Sequence, residues 1–270
     1  MPEAERPTHG AVRDRPGSEA VAAAAAAAFR ARYGTGPGAP VVVLMAALNE
    51  AASVGEVVAS VPASVSGLAT ECLVVDDGST DGTEAEAARA GAMVCRLEVN
   101  LGQGQALRVG YRLAAERGPV VIATLDADGQ FDPSELERLV APVADGRADF
   151  VNGSRRLGRA ETTDALRRAG VVVFAGLVSA LTGARITDPA NGFRAFTPEV
   201  PAKVPLRQVQ YQTAELLIGA LTMGFRVMEA PVTVRARSAG SSKKGHNLAY
   251  GYRFGRVILT TWWSLRGRRR

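Results

Sequence analysis

The 270-residue sequence is poor in the residues from which many metal and nucleophile sites are built, with two cysteines, two histidines and 6% aromatic residues. Cys72 and Cys95 both lie inside apolar runs that predict strands, and neither belongs to a Cys-x-x-Cys pair, so we expect both to be buried and reduced. Because His9 and His246 are the only histidines, the sequence disfavours a histidine-built zinc site and a Ser-His-Asp triad.

Long apolar runs are also missing. The longest stretches cover residues 41–48, 171–181 and 257–265, and each is shorter than the roughly 18 residues that a membrane-spanning helix needs. The alanine-rich run at 21–29 follows several acidic residues and has no convincing cleavage site, which argues against a signal sequence. We therefore expect a cytoplasmic protein without a transmembrane helix.

Acidic residues are absent from the last part of the chain. Residues 230–270 contain ten Lys or Arg and no Asp or Glu, which leaves 22 basic residues against 27 acidic ones in the rest of the chain. A strongly basic end on an acidic body indicates an anionic partner such as a phosphate, a membrane surface or a nucleic acid.

The pattern along the chain divides it into three parts. Residues 1–38 are rich in Pro, Gly, Ala and charge and predict a disordered leader that contains at most one frayed alanine-rich helix. From residue 41 a repeating order of apolar strand, polar loop and helix predicts a single α/β domain over residues 39–245, with a mostly parallel central sheet flanked by helices. Residues 246–270 predict a basic amphipathic helix and tail.

Polar residues follow directly after several predicted strands. Asn49-Glu50, Asp76-Asp77 and Asp126-Ala-Asp128 each come at a strand end, and ligands of open α/β sheets bind outside the carboxyl ends of the strands. Because this many carboxylates would repel one another, we expect a cation or a ligand with strong hydrogen-bond donors between them.

The pair Asp126 and Asp128, with Gln130 just beyond, offers hard oxygen ligands suited to Mg²⁺ or Mn²⁺. The alternative is a solvated turn at a strand end. Asp76 can accept hydrogen bonds from a nucleobase edge, whereas Ser79 and Asp81 are typical of turns and helix caps.

A glycine-rich segment, Gly102-Gln-Gly104-Gln-Ala-Leu107, partly matches a dinucleotide-binding fingerprint. The third glycine is missing and the segment follows the third predicted strand instead of the first, so a nicotinamide oxidoreductase is disfavoured.

Seven short motifs occur in a fixed order: Leu48-Asn-Glu50, Val75-Asp-Asp-Gly-Ser-Thr-Asp-Gly82, Asn100-x-Gly-x-Gly104, Asp126-Ala-Asp-Gly-Gln130, Gly153-Ser-Arg155, Asp188-x-x-Asn-Gly-Phe-Arg194 and Arg237-x-x-Gly-x-Ser-Lys243. Together they resemble the family 2 glycosyltransferases, and most of all the polyprenyl-phosphate sugar transferases similar to dolichyl-phosphate-mannose synthase. The resemblance implies a GT-A fold, a UDP- or GDP-linked sugar donor, Mg²⁺ or Mn²⁺, and inversion at the anomeric carbon.

The resemblance also implies roles for individual residues. It places Glu50 and Asp76 on the nucleoside and Asp126, Asp128 and Gln130 around the cation. The predicted donor-binding residues are Asn49, Glu50, Asp76, Asp77, Gly104 and Asp126, and the predicted catalytic residues are Asp128, Arg155, Asp188, Arg237 and Lys243. Ala46 and Leu48 depart from the Pro and the aromatic residue common in the family.

Two acceptors are compatible with these residues. A polyprenyl phosphate is already anionic and needs only cationic groups to position it, whereas a hydroxyl or soluble acceptor needs a base, for which Asp188 and Glu215 are candidates. The abundance of Arg and Lys favours the phosphate. Trp262 and Trp263, among basic residues, favour a peripheral helix on the inner face of the plasma membrane.

A nucleic-acid-binding module that uses the basic tail is the alternative from another class. The basic residues are confined to one end, no recognition helix or RNA-binding signature is visible, and the acidic strand ends would have no role. We therefore expect no nucleic-acid partner.

Overall fold

A computed structural model describes residues 17–161, 165–235 and 247–267. The apolar runs predicted as strands form one sheet. Its strands are Val41–Ala47 (β1), Ser64–Val65 (β2), Leu68–Asp76 (β3), Met93–Arg96 (β4), Val121–Thr124 (β5), Phe150–Ala160 (β6), Arg194–Phe196 (β7) and Val227–Val234 (β8).

Helices follow most of the strands, as the alternating pattern predicts. They are Ser18–Tyr33 (α1), Val54–Ser60 (α2), Thr83–Arg89 (α3), Gln103–Glu116 (α4), Leu136–Ala144 (α5), Ala165–Thr182 (α6), Glu199–Lys203 (α7), Gln212–Thr222 (α8) and Asn247–Leu265 (α9), with a 3₁₀ turn at Pro133–Glu135 before α5.

The sheet is mixed. Strands β4, β3, β1 and β5 are parallel neighbours, β7 runs antiparallel between β5 and β6, and β8 is parallel to β6. The carboxyl ends of β1, β3, β5 and β6 and the amino end of β7 therefore meet at one edge. The predicted α/β class and helix-flanked sheet are confirmed, and the antiparallel β7 is what brings the 188–192 loop to that edge.

Apolar side chains fill both faces of the sheet. Leu44, Leu73 and Phe150 pack on the face covered by α1, α4, α8 and α9, and Val43 and Val151 pack on the face covered by α2 and α5. Because β1 is buried on both faces, its sequence is continuously apolar instead of alternating.

The prediction of a disordered leader is wrong for the residues before β1 that the structure describes. Residues 18–33 form α1, whose Ala22 and Phe29 are buried in the core. Arg30 pairs with Glu116 of α4 at 2.7 Å, and the Tyr33 hydroxyl accepts a hydrogen bond from the backbone N–H of Val94. The small alanine side chains let α1 approach the sheet closely, although their low hydrophobicity does not predict burial. Residues 1–16 lie outside the described residues.

The C-terminal helix α9 packs on α8 and α6. Phe254 and Ile258 are fully buried, and the Phe254 ring contacts Phe174 of α6 edge-on at 4.8 Å between centroids. None of the helices in the described ranges combines the length and hydrophobicity that a bilayer crossing requires.

Candidate active site

The loop after β1 is fixed by the loop after β3. Asn49 adopts a left-handed φ of 52°, which asparagine tolerates better than most residues. Its backbone N–H donates to the Ser79 hydroxyl at 2.9 Å, and its side-chain oxygen accepts from the Thr80 N–H at 2.9 Å. Thr83 Oγ1 accepts from the Glu50 N–H. Asn49 therefore shapes the loop that presents Glu50.

Asp76 ends β3 and is fully buried. Its Oδ1 accepts from the Ser79 N–H at 2.8 Å, and its Oδ2 lies 3.1 Å from a guanidinium nitrogen of Arg96. Arg96 also donates to the Ser79 carbonyl. The motifs in the sequence do not mark Arg96, which stands in the same register as Asp76 at the end of β4. These contacts fix the rotamer of Asp76 at the edge of the sheet.

Asp77 directly follows β3 and is buried. Both of its oxygens accept backbone hydrogen bonds, from Leu101 at 2.7 Å and Gly102 at 2.9 Å. Burial raises the pKa of Asp77 to about 7, because desolvation outweighs these two donors and the neighbouring Asp76 also disfavours the charge. The structure thus gives Asp77, predicted to bind the donor, a positioning contact with the loop that begins α4.

Gly104 is in the first turn of α4, where its N–H donates to the Val209 carbonyl at 2.8 Å. A Cβ at this position would collide with the backbone oxygen of Gln208. The 205–211 segment is fixed from the other side by Glu215, whose carboxylate accepts from the N–H groups of Arg207 and Gln208 at 2.8 and 3.0 Å. Burial raises the pKa of Glu215. Close backbone packing accounts for the glycine, and Glu215 anchors a loop.

Asp126 and Asp128 follow β5 at the centre of the edge. Asp128 is buried, and its Oδ1 accepts from the Gln130 N–H at 3.1 Å. Asp126 lies against Gly192, where a Cβ would fall 2.9 Å from its Oδ1. The side-chain nitrogen of Gln130 donates to the Arg235 carbonyl at 3.1 Å, which leaves the amide oxygen of Gln130 as its possible cation ligand.

These residues fit a hard divalent cation through the chemistry of their donor set. Carboxylate oxygens and an amide oxygen are the ligands that Mg²⁺ and Mn²⁺ prefer, and Gly192 leaves the side of Asp126 clear of a side chain. In the described residues no group of three or more His, Cys, Asp or Glu is arranged to hold a metal ion. Water or the oxygens of a bound molecule would complete the coordination of the cation.

Arg155 and Asp188 form an ion pair on the other side of the edge. The Arg155 Nε lies 2.6 Å from Asp188 Oδ2, which also accepts from the Arg155 backbone N–H at 3.1 Å. Asp188 is fully buried, and the Arg155 side chain keeps 12% of its surface exposed. The buried Oδ1 of Asp188 has no hydrogen-bond partner among the described residues. Asp188 therefore orients Arg155 toward the site.

Glu229 of β8 supports this pair, although the sequence alone does not point to it. Its carboxylate accepts from the N–H groups of Thr187 and Asp188 at 2.8 and 3.2 Å and from the Asn152 side chain at 3.0 Å. Asn152 also donates to the Asp188 carbonyl. No motif marks Glu229, because only the pairing of β6 with β8 brings it under the 187–188 segment.

Arg194 begins β7 and is 1% exposed. Its guanidinium donates to the carbonyl oxygens of Thr213 and Pro189 and lies 5.6 Å from the centre of the Phe150 ring, while its Nε has no partner in the part of the chain that the structure describes. Burial lowers the pKa of Arg194 to about 10, so the group still carries its charge at neutral pH.

The structure brings most of the predicted site residues to one edge. Glu50, Asp76, Asp126, Asp128 and Arg155 converge there, whereas Asn49, Asp77, Gly104 and Asp188 build the loops around them. Arg237 and Lys243 lie outside the described residues.

Comparison with known proteins identifies the family to which the chain belongs. The family model described as Glycosyl transferase family 2 matches residues 42–199. Dolichyl-phosphate hexose transferase of Haloferax volcanii is 34% identical over 74% of this chain and 85% of its own length. Polyprenol monophosphomannose synthase of Mycolicibacterium smegmatis is 35% identical, covering 73% of this chain and 77% of its own. Undecaprenyl-phosphate mannosyltransferase of Micrococcus luteus is 29% identical, over 74% and 84%.

Among solved structures, glucosyl-3-phosphoglycerate synthase from Mycobacterium tuberculosis, in complex with Mn²⁺, UDP and glucosyl-3-phosphoglycerate, superposes with a TM-score of 0.64. The match has 25% identity and covers 94% of this chain and 86% of the other. The predicted GT-A-like single domain is confirmed. The chain belongs to glycosyl transferase family 2, and the protein is a glycosyltransferase.

Proposed function

We propose that this glycosyltransferase moves a sugar, with inversion and with the help of Mg²⁺ or Mn²⁺, from a nucleoside diphosphate to a polyprenyl phosphate. The observation that carries the proposal is that Asp126 and Asp128, which follow β5, and Arg155 of β6, which is held by Asp188, lie at the same edge of the sheet. The carboxylates suit the cation of a donor diphosphate, and the arginine suits an anionic acceptor.

The donor half of the site divides into two parts. Glu50 and Asp76 face the nucleoside in this proposal, with Asp76 fixed by Ser79 and Arg96. Asp126, Asp128 and Gln130 would hold the cation, which when bound supplies positive charge to the diphosphate as it leaves. The donor is a UDP- or GDP-linked sugar.

The acceptor half favours a phosphate over a hydroxyl. A hydroxyl needs a base to remove its proton, but Asp188 is buried and paired with Arg155, and Glu215 binds the backbone of Arg207 and Gln208. A lipid phosphate is already anionic. Its oxygen can attack the anomeric carbon as the bond to the donor diphosphate breaks, which inverts that carbon without a protein base. Three relatives carry names that specify dolichyl, polyprenol or undecaprenyl acceptors.

A membrane surface suits the face formed by α6 and α9. Tyr252 and Trp263 of α9 are 74% and 64% exposed, and Val173 of α6 is 65% exposed. Arg266 lies 3.4 Å from the centre of the Trp263 ring. Exposed apolar and aromatic side chains with neighbouring cations are typical of helices that lie in the interface of an anionic membrane. We propose peripheral attachment to the inner face of the plasma membrane.

The decisive experiment is transfer of radiolabelled sugar from UDP- and GDP-sugars to a polyprenyl phosphate, with and without Mn²⁺. Extraction of a labelled lipid product with the full chain is the expected result, and EDTA should abolish it. Label that enters only a soluble acceptor would overturn the lipid-phosphate assignment, while turnover unaffected by EDTA would overturn the cation.

A further inference from the structure

A row of polar side chains crosses the sheet one step below its carboxyl edge. Thr124 of β5 pairs in register with Arg194 of β7, Arg194 pairs with Asn152 of β6, and Asn152 pairs with Glu229 of β8. Directly paired residues on neighbouring strands point to the same face. Arg194 is therefore the central positive charge of a row that ends in the carboxylate of Glu229.

Arg194 lies directly behind the predicted cation site. Asp126 is two residues beyond its strand neighbour Thr124, and Thr124 Oγ1 donates to the Gly192 carbonyl at 2.7 Å. Arg194 and Asp126 also line one small cavity of about 10 Å³. Asp126, Asp188 and Glu229 are the carboxylates that interact electrostatically with the Arg194 guanidinium.

The arginine has no exit to solvent. Its side chain is 1% exposed, and its guanidinium donates to the neutral carbonyl oxygens of Thr213 and Pro189. A buried charge that is hydrogen-bonded to neutral groups instead of a counter-ion is costly to keep. Here it acts on its surroundings over several ångströms at a low effective dielectric constant, where Coulomb interactions are strong.

We propose that Arg194 is a positioning residue whose fixed positive charge weakens the binding of a bare divalent cation to Asp126 and Asp128, so that the site fills only when the oxygens of the donor diphosphate add to its affinity. This inference rests on the proposed cation-dependent function. The positive charge of Arg194 offsets part of the negative charge that Asp126 and Asp128 offer to a cation. The oxygens of a bound diphosphate would add negative charge and further ligands for the cation.

The test measures Mn²⁺ binding directly, by electron paramagnetic resonance of free Mn²⁺, with and without UDP and without any sugar transfer. In the native chain we expect weak binding of Mn²⁺ alone and much tighter binding with UDP. Arg194→Met removes the charge and should tighten binding of Mn²⁺ alone on the order of tenfold. Arg194→Lys keeps the charge and should bind bare Mn²⁺ as the native chain does.

Glu229→Gln gives an independent test that leaves Arg194 in place. It removes one negative charge from the same row and should weaken bare Mn²⁺ binding several-fold, opposite in sign to Arg194→Met. Arg226→Met is the matched control: Arg226 pairs with Asp149 at the opposite end of the strands, and its loss changes the net charge equally. The control should leave Mn²⁺ affinity unchanged.

Equal affinity of Arg194→Met and the native chain for bare Mn²⁺, with the variant folded by circular dichroism, would overturn the proposal. If Arg194→Met does not fold, the Glu229→Gln variant decides instead. An unchanged or increased affinity of that variant for Mn²⁺ would overturn the proposal. Failure of the proposed cation-dependent function would give a different result. The native chain would then bind no Mn²⁺ even with UDP present, because it has no cation site at this edge.

Discussion

The Nε of Arg155 lies 2.6 Å from the Oδ2 of Asp188, a fully buried carboxylate 33 positions further along the chain. The same Oδ2 accepts from the backbone N–H of Arg155. One carboxylate oxygen thus fixes both the strand position and the side-chain direction of the arginine assigned to the acceptor phosphate.

Asp188→Asn should release Arg155 without removing it. Breaking a buried ion pair by neutralising one partner costs about 3 kcal/mol of stability, and the misaligned guanidinium should raise KM for the lipid phosphate about tenfold, as expected for one charged hydrogen bond. Thermal unfolding and steady-state kinetics measure both effects. Asp145→Asn, at an exposed pair with Arg147, is the matched control and should change neither. An unchanged acceptor KM in folded Asp188→Asn would contradict the positioning role.

Asp128→Ala should abolish sugar transfer and leave the fold intact. Asp128 is buried just beyond β5, and its Oδ1 accepts a backbone hydrogen bond of 3.1 Å from Gln130, two residues away. Asp128→Asn retains the shape but not the charge, so it should also be inactive at Mn²⁺ concentrations that saturate the native enzyme. Transfer assays over a Mn²⁺ titration test this. Full metal-dependent activity in either variant would remove Asp128 from the cation site.

Asp77 should make stability depend on pH. The pKa of Asp77 is raised to about 7 in the folded state. In the unfolded chain it has its ordinary value of about 3.9. Between these values the folded chain binds the extra proton, so the contribution of Asp77 to the free energy of unfolding falls as pH rises from about 4 to 7. Urea unfolding at pH 5 and pH 8 should show Asp77→Asn losing less stability over this interval than the native chain. Parallel pH profiles would count against the raised pKa.

Gly104→Ala should destabilise the contact between α4 and the 205–211 segment. The added Cβ would meet the Gln208 backbone oxygen, and forcing a methyl group into packed backbone costs about 1–3 kcal/mol. Gly176→Ala is the control, because Gly176 is in α6 and, apart from its own helix backbone, no atom of the described residues lies within 4 Å of its Cβ position. There alanine should stabilise the helix by about 0.5–1 kcal/mol. Thermal unfolding should therefore shift in opposite directions, and equal shifts would contradict the close approach.

Replacement of both Tyr252 and Trp263 by Ser should weaken membrane binding. The two aromatic side chains are largely exposed on α9, so the change removes interfacial contacts without opening the core. Sedimentation with vesicles containing anionic lipid should show several-fold less bound protein. Val99→Ser, at an exposed apolar residue outside α6 and α9, is the control. Unchanged sedimentation of the double variant would exclude α9 as the membrane contact.

The strand ends were predictable because their chemistry is local. A buried strand such as Val41–Ala47 is marked by its apolar run, and polar residues directly after it must lie at the sheet edge. Glu50, Asp76, Asp126 and Asp128 could therefore be assigned to one edge from the amino-acid sequence alone. The packed helix Ser18–Tyr33 could not, because its alanines carry too little hydrophobicity to distinguish a buried face from an exposed one.

What the sequence determined by itself is the family, the alternation of strands and helices in the α/β domain, and the carboxylates that meet at the edge of the sheet. The tertiary structure decided what supports them: Arg96 beside Asp76, Glu229 beneath Asp188, and Arg194 buried behind Asp126. These contacts join residues that are far apart in the sequence or carry no motif, and only strand pairing and the packing of the loops at the sheet edge bring them together. Burial also makes the electrostatic effect of a charge stronger, because the loss of surrounding water strengthens its interactions with nearby charges.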